Sequence, residues 1–121
     1  MNARFAGPAL LAFCLAPCAA FADSGQVELT TAGEFQQTKV TYDCGDNGSL
    51  DVSYVNADPN FLAVVPVSGE TQPLVFASVL SGSGVRYAAG KYVWWSTGNT
   101  ANLYDTTQDD NAPALLSCTQ K

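Results

Sequence analysis

Residues 37–56 read QTKVTYDCGDNGSLDVSYVN. Before the central turn, apolar and aromatic side chains fall on every second position, at Val40, Tyr42 and Cys44; after it they do so again, at Leu50, Val52 and Tyr54. A period of two is the spacing of a strand with one covered face. Between the runs stands Gly45-Asp46-Asn47-Gly48, whose Asn-Gly step suits a primed hairpin turn. The stretch predicts two antiparallel neighbours, Gln37–Cys44 and Ser49–Asn56.

Downstream the same grammar repeats. Asp58-Pro59-Asn60 breaks the chain, and Phe61–Val67 is a continuous apolar run, the pattern of a strand covered on both sides, with Pro66 putting its end near an edge. Gln72–Leu80 follows, with Leu74 and Phe76 on one side and Val75, Ala77 and Val79 on the other. Strands are predicted at Val85–Ala89, Tyr92–Ser96 and Thr100–Asp105, separated by turns at Gly90-Lys91 and Gly98-Asn99. Thr106–Pro113 is a polar loop, and Ala114–Thr119 is a last strand. No segment has helical periodicity, and Asp23–Gln36 is weakly patterned. Seven or eight short, evenly spaced strands make an all-β meander, either a barrel or a sandwich. Closure into a barrel would remove the exposed edges of so strand-rich a chain.

Upstream, Arg4 gives a positive start, Phe5–Leu15 is mostly apolar but too short to span a bilayer, and Ala20-Phe21-Ala22 has small residues where a signal peptidase reads. Residues 1–22 are therefore read as a secretory signal cut after Ala22, leaving one small domain over 23–121. The alternative is lipidation at Cys18, which would tether the chain to a membrane; Pro17 disfavours it, because a lipobox wants a small residue there. Cleavage after Ala22 removes Cys14 and Cys18 and leaves Cys44 and Cys118. An even count in an exported chain reads as one disulfide. Closing a loop of about 75 residues is worth roughly 4.5 kcal/mol in the chain-entropy model.

Charge and composition then exclude whole classes of function. The chain of 121 residues carries a net charge of −6 and has no histidine. Nucleic acid and anionic membrane surfaces are poor partners for it, whereas a basic protein would associate faster. Ser-His-Asp and Cys-His catalysis are excluded, as is a cysteine–histidine zinc site. No phosphate-binding glycine loop is present, and no cofactor is expected. Asp43, Asp46, Asn47 and Asp51 lack the spacing of a calcium loop and read as a turn plus solvated strand faces. Asp109 and Asp110 read as a solvated loop, and nothing fixes a carboxylate pair across a cleft.

What remains is residues 81–103, SGSGVRYAAGKYVWWSTGNTANL. The serine of Gly82-Ser83-Gly84 has no bulky neighbours, so it can enter a narrow cleft and donate its hydroxyl to a carboxylate. Arg86 and Tyr87 lie just behind, able to add a cation and a second hydroxyl. The plainer alternative is a tight turn with Tyr87 packed in the sheet. Trp94 and Trp95 are consecutive and face opposite ways in a strand, so one belongs to the core and the other to a second surface, where it can stack on a sugar or an apolar partner.

Together these residues resemble the c-type lysozyme inhibitors of Gram-negative bacteria, which occur in membrane-bound and periplasmic forms. The resemblance rests on Tyr42-Asp43-Cys44, Val52-Ser53-Tyr54-Val55-Asn56, the SGSGVRY loop, Trp94–Leu103 and the late Cys118, and so covers most of the chain after the leader. It implies an eight-stranded antiparallel barrel stapled by Cys44–Cys118. It also implies a non-enzymatic function in the periplasm: the loop enters the lysozyme cleft and Ser83 hydrogen-bonds the two catalytic carboxylates. Gly82, Gly84, Arg86, Tyr87 and Thr97 are the other residues carried over to the contact. The partner implied is a c-type lysozyme, a basic protein, and a homodimer is compatible with the sequence.

One position departs from the family pattern. Where the family often has a lysine before the glycine of the Trp-Trp segment, this chain has Thr97. Losing that charge-assisted contact would cost roughly 1.5–3 kcal/mol, with Arg86 and Lys91 the cations available to compensate. The alternative from another class is a small periplasmic barrel that binds glycan or lipid without inhibiting lysozyme.

Overall fold

The computed structural model describes residues 7–9, 11–13, 15 and 25–121. The expected cleavage after Ala22 and the cysteines at 14 and 18 lie outside the described residues. Eight strands follow in chain order: β1 Phe35–Asp43, β2 Ser49–Ala57, β3 Asn60–Val65, β4 Leu74–Val79, β5 Val85–Ala89, β6 Tyr92–Thr97, β7 Thr100–Asp105 and β8 Leu116–Gln120. Each pairs antiparallel with the next, and β8 returns to β1 to close a barrel. Of the two architectures compatible with the meander, the chain adopts the barrel.

Alternation aims one face of every strand at the axis. Tyr42, Val52, Ala63, Val65, Phe76, Tyr87, Trp94 and Leu103 fill the interior, with Trp94 fully buried. The interior is therefore a packed core. Three of its polar groups are paired: the Trp94 indole N–H donates to the Tyr54 hydroxyl at 2.8 Å, and that hydroxyl shares a 2.7 Å bond with Tyr42. Unpaired, such buried groups would each cost about 1–3 kcal/mol. Burial, and then the bond to Tyr42, push the Tyr54 hydroxyl's titration upward.

Closure is narrow. β1 and β8 pair only at Tyr42–Gln120 and Asp43–Thr119, and the Cys44–Cys118 disulfide sits immediately beyond them. At the other end of β1, the Ala32 amide donates to the Asp58 carbonyl at 2.8 Å, so part of the weakly patterned segment straps the β2–β3 turn.

Two local expectations are corrected. Phe61–Val67 is not covered on both sides: Ala63, Val65 and Val67 are buried, while Leu62 and Val64 are half-buried on the outer wall and Phe61 is exposed at the rim. A one-layer barrel has a single core face, and the outer apolar side chains shield only one another. The Asn47-Gly48 step is not a primed turn either. Positive φ occurs at Gly45 and Gly48, not at Asn47, and a short 3-10 turn over Gly45–Asn47 makes the connection.

Candidate functional site

In an up-and-down barrel alternate turns share an end. The β4–β5 loop, containing Ser81–Gly84, and the β6–β7 turn at Gly98-Asn99 therefore lie at one end, and the β5–β6 turn at Gly90-Lys91 lies at the other. The last β4–β5 pair is Val79–Arg86 and β5 begins at Val85, which leaves Leu80–Gly84 as the projecting loop. Leu80, in this loop, is 98% exposed.

Two side chains hold the loop. The Trp95 indole N–H donates to the Ser83 carbonyl at 2.9 Å, and the Ser81 hydroxyl donates to the same oxygen at 2.6 Å. The Ser83 hydroxyl itself makes no hydrogen bond among the described residues. Gly84 rests on the end of β6 with φ +61°, and a Cβ there would meet the Ser96 carbonyl and stand 2.7 Å from Thr97 Oγ1. Gly82 has open space around it.

The expected site residues separate into three places. Gly82, Ser83, Gly84 and Thr97 are together and exposed at the loop end. Tyr87 points into the barrel opposite Trp94, is 6% exposed, and has its ring 5.8 Å from that of Tyr54; burial pushes its hydroxyl's titration up. The plainer alternative, Tyr87 packed in the sheet, describes what is observed. Arg86 lies on the outer wall across from Trp95, its guanidinium carbon 5.0 Å from the indole centroid. Lys91 sits at the far end, paired with Asp105 at 3.1 Å, and is in no position to replace a cation at Thr97.

The sequence predicts that one of the two tryptophans lies outside the core; the structure shows that it is Trp95, and its bond to Ser83 follows from the Arg86–Trp95 register, which no single strand reveals. A groove of about 310 Å³ also escaped the sequence reading. It lies on the outer wall under the 106–113 loop, lined by Arg86, Trp95, Tyr104, Asp105, Asp109 and Asp110. The acidic residues near the first turn have local duties: Asp43 accepts from the Gly45 amide at 2.9 Å, and Asp51 accepts from the Thr41 hydroxyl at 2.7 Å.

Residues 42–112 match the family model described as membrane-bound lysozyme-inhibitor of c-type lysozyme. Two relatives called membrane-bound lysozyme inhibitor of C-type lysozyme align with 68% of this chain. One, from Pseudomonas aeruginosa, is 40% identical over 82 residues, and the other, from Cupriavidus necator, is 41% identical over 83. The chain spans 64% and 65% of the lengths of these two proteins. Among solved structures, a chain from Pseudomonas aeruginosa MliC in complex with hen egg white lysozyme is 36% identical with a TM-score of 0.67, over 84% of this chain and 99% of that one.

Proposed function

Because the chain belongs to the family of membrane-bound lysozyme inhibitors of c-type lysozyme, we propose that it inhibits a c-type lysozyme by occupying the active-site cleft with its Ser81–Gly84 loop. One observation carries the reading: Ser83 spends its carbonyl on two internal hydrogen bonds and keeps its hydroxyl for a partner. Lysozyme works with two carboxyl groups flanking the scissile bond. A serine hydroxyl donated to a carboxylate is a charge-assisted bond, about twice as strong as a neutral one. With both carboxyl groups engaged and the cleft filled, sugar is excluded; the protein acts as a binder and not as an enzyme. Gly82 lets the tip enter without a side chain, Gly84 sets its angle, and Thr97 flanks it. Tyr87 supports the loop from within the barrel.

The acidic surface favours a basic enzyme through faster encounter, so association slows as salt rises. Export by the leader over residues 1–22 would put the domain in the periplasm. The relatives' description as membrane-bound favours a second reading of location, attachment through Cys18; the mass of the exported protein separates the two.

The test is lysis of bacterial cell walls by hen egg white lysozyme, with and without the purified 23–121 chain and its Ser83→Ala variant. Stoichiometric inhibition by the chain, weakened in the variant, is expected. No inhibition by a folded, disulfide-bonded sample would overturn the reading. The outer groove, with Trp95 and Tyr104 among its lining, would then favour glycan binding, which a pull-down on peptidoglycan without lysozyme would detect.

A further inference from the structure

We propose that Trp95, clamped by Arg86, is a positioning residue that presets the Ser83 loop before any partner arrives. The inference rests on the proposed inhibitory role of that loop. A five-residue projection rich in glycine and serine would ordinarily sample many conformations, and ordering it on binding would weaken affinity. Here the ordering is built into the free molecule. The Trp95 ring stands on the outer wall of β6, and its N–H reaches across to the Ser83 carbonyl at 2.9 Å. The same carbonyl takes the Ser81 hydroxyl at 2.6 Å, so the peptide after Ser83 is fixed from two directions. With that carbonyl turned inward and Gly84 laid on the end of β6, the Ser83 side chain is left at the tip.

Arg86 completes the device. It pairs with Trp95 across β5 and β6, and its guanidinium lies 5.0 Å from the ring centroid. No ion pair to Arg86 occurs among the described residues, although Asp105, Asp109 and Asp110 line the same groove, and its Nε is buried without a hydrogen-bond partner. Its placement is therefore explained by the indole face and not by a carboxylate. An indole held on its face by a cation and directed by its N–H has little rotational freedom. Arg86, which the sequence offers as a contact to the enzyme, is thus assigned to bracing the loop from behind.

The experiment compares the intact chain with Trp95→Phe, which keeps an aromatic face for Arg86 but removes the N–H. Ser83→Ala and the double variant complete a cycle. In the free protein, the Trp95 indole N–H resonance should be protected from exchange, and Trp95→Phe should lower the backbone order parameters of Ser83 and Gly84 while leaving the unfolding midpoint nearly unchanged. Binding of hen egg white lysozyme should weaken about tenfold in Trp95→Phe, the equivalent of one net hydrogen bond. Most of that loss should vanish when Ser83 is already alanine, since a strut matters only through what it positions. An equal loss in both backgrounds would overturn the proposal and make Trp95 a direct contact. An unprotected indole N–H, or loop order parameters unaltered by Trp95→Phe, would overturn it whether or not lysozyme binds. Absence of lysozyme binding by the intact chain, with the indole protection and loop order parameters as expected, would overturn the functional reading and leave the strut standing.

Discussion

The indole N–H of Trp95 donates to the carbonyl of Ser83 across 2.9 Å, tying the outer wall of β6 to the tip of the β4–β5 loop. The bond separates the two polar groups of Ser83 by duty: the main chain holds the loop, and the side chain faces outward. It also makes the loop's conformation a property of the barrel, because Trp95 is consecutive with the fully buried Trp94. Core packing thereby fixes the register of β6 and, through it, the position of the tip.

Gly84→Ala and Gly82→Ala should behave differently although both lie in the loop. At Gly84 the backbone has φ +61° and a methyl group would meet the Ser96 carbonyl. The left-handed conformation alone costs alanine about 1 kcal/mol, and the clash adds to it. Gly84→Ala should lower the unfolding temperature by at least about 4 °C and weaken inhibition at least about tenfold. Gly82 has no neighbour within 4 Å, so Gly82→Ala should alter stability by less than about 0.5 kcal/mol. Thermal melts of the two variants check the contrast; equal effects would mean that the loop does not rest on β6.

How much of this was legible in the sequence depends on what each residue's position required. Residues 37–56 declared β1, β2 and their inward faces because strict alternation has one reading. Phe61–Val67 misled because outer-wall apolar residues shelter one another: Leu62 lies between Val55 and Ala77, and Val64 beside Val75. Tyr87 was ambiguous for a sharper reason. It pairs with Trp94, so it faces inward only if Trp94 does, and two consecutive tryptophans do not say which is core. The Trp95–Ser83 bond depends on pairing between strands and could not be read along one of them.

Removing the disulfide should open the barrel at its weakest seam. β1 and β8 share two residue pairs, against nine between β1 and β2. The Cys44→Ala/Cys118→Ala variant should lose about 2–5 kcal/mol of stability in urea unfolding. The amides of Thr119–Lys121 should exchange before those of β2, because β8 is held on its far side by the bridge and by little else. A loss below about 1 kcal/mol would mean that the two-pair ladder closes the barrel unaided.

Acid should destabilise the end of the barrel away from the loop. Hydrogen bonds from the Thr107 hydroxyl and amide, at 2.6 and 2.9 Å, and then Lys91 hold the Asp105 carboxyl below its ordinary value of 3.8. A depressed carboxyl contributes stability above its unfolded pKa and loses it as pH falls through the folded one. Asp51 is lowered in the same direction, first by the Thr41 hydroxyl. Lys91 is raised, first by its bond to Asp105, so its contribution is complete below the ordinary 10.5 and is lost as pH rises through the higher folded value. The pair is therefore fully effective between about pH 4 and pH 10. Melting temperature followed from pH 7 to pH 2 should fall less steeply in Asp105→Asn than in the parent; parallel curves would remove Asp105 from the account.

Thr97→Lys should strengthen inhibition. Thr97 is exposed at the end of β6, with its Oγ1 beside the backbone of Gly84, so a longer side chain starting there runs along the flank of the loop. Its hydroxyl brings no charge to a cleft whose two carboxyl groups are the proposed target. Neither Arg86 nor Lys91 supplies one: Arg86 lies on Trp95, and Lys91 is paired with Asp105 at the opposite end. A lysine amine reaching those carboxyl groups would add a charge-assisted bond worth about 1.5–3 kcal/mol, or a Kd at least about tenfold lower. The gain should appear mainly in the dissociation rate and persist at high salt, because a desolvated pair is little screened. Titration of hen egg white lysozyme with both proteins measures it. A gain confined to the association rate and erased by salt would mean that the new charge acts from the rim, and that residue 97 does not face the carboxyl groups.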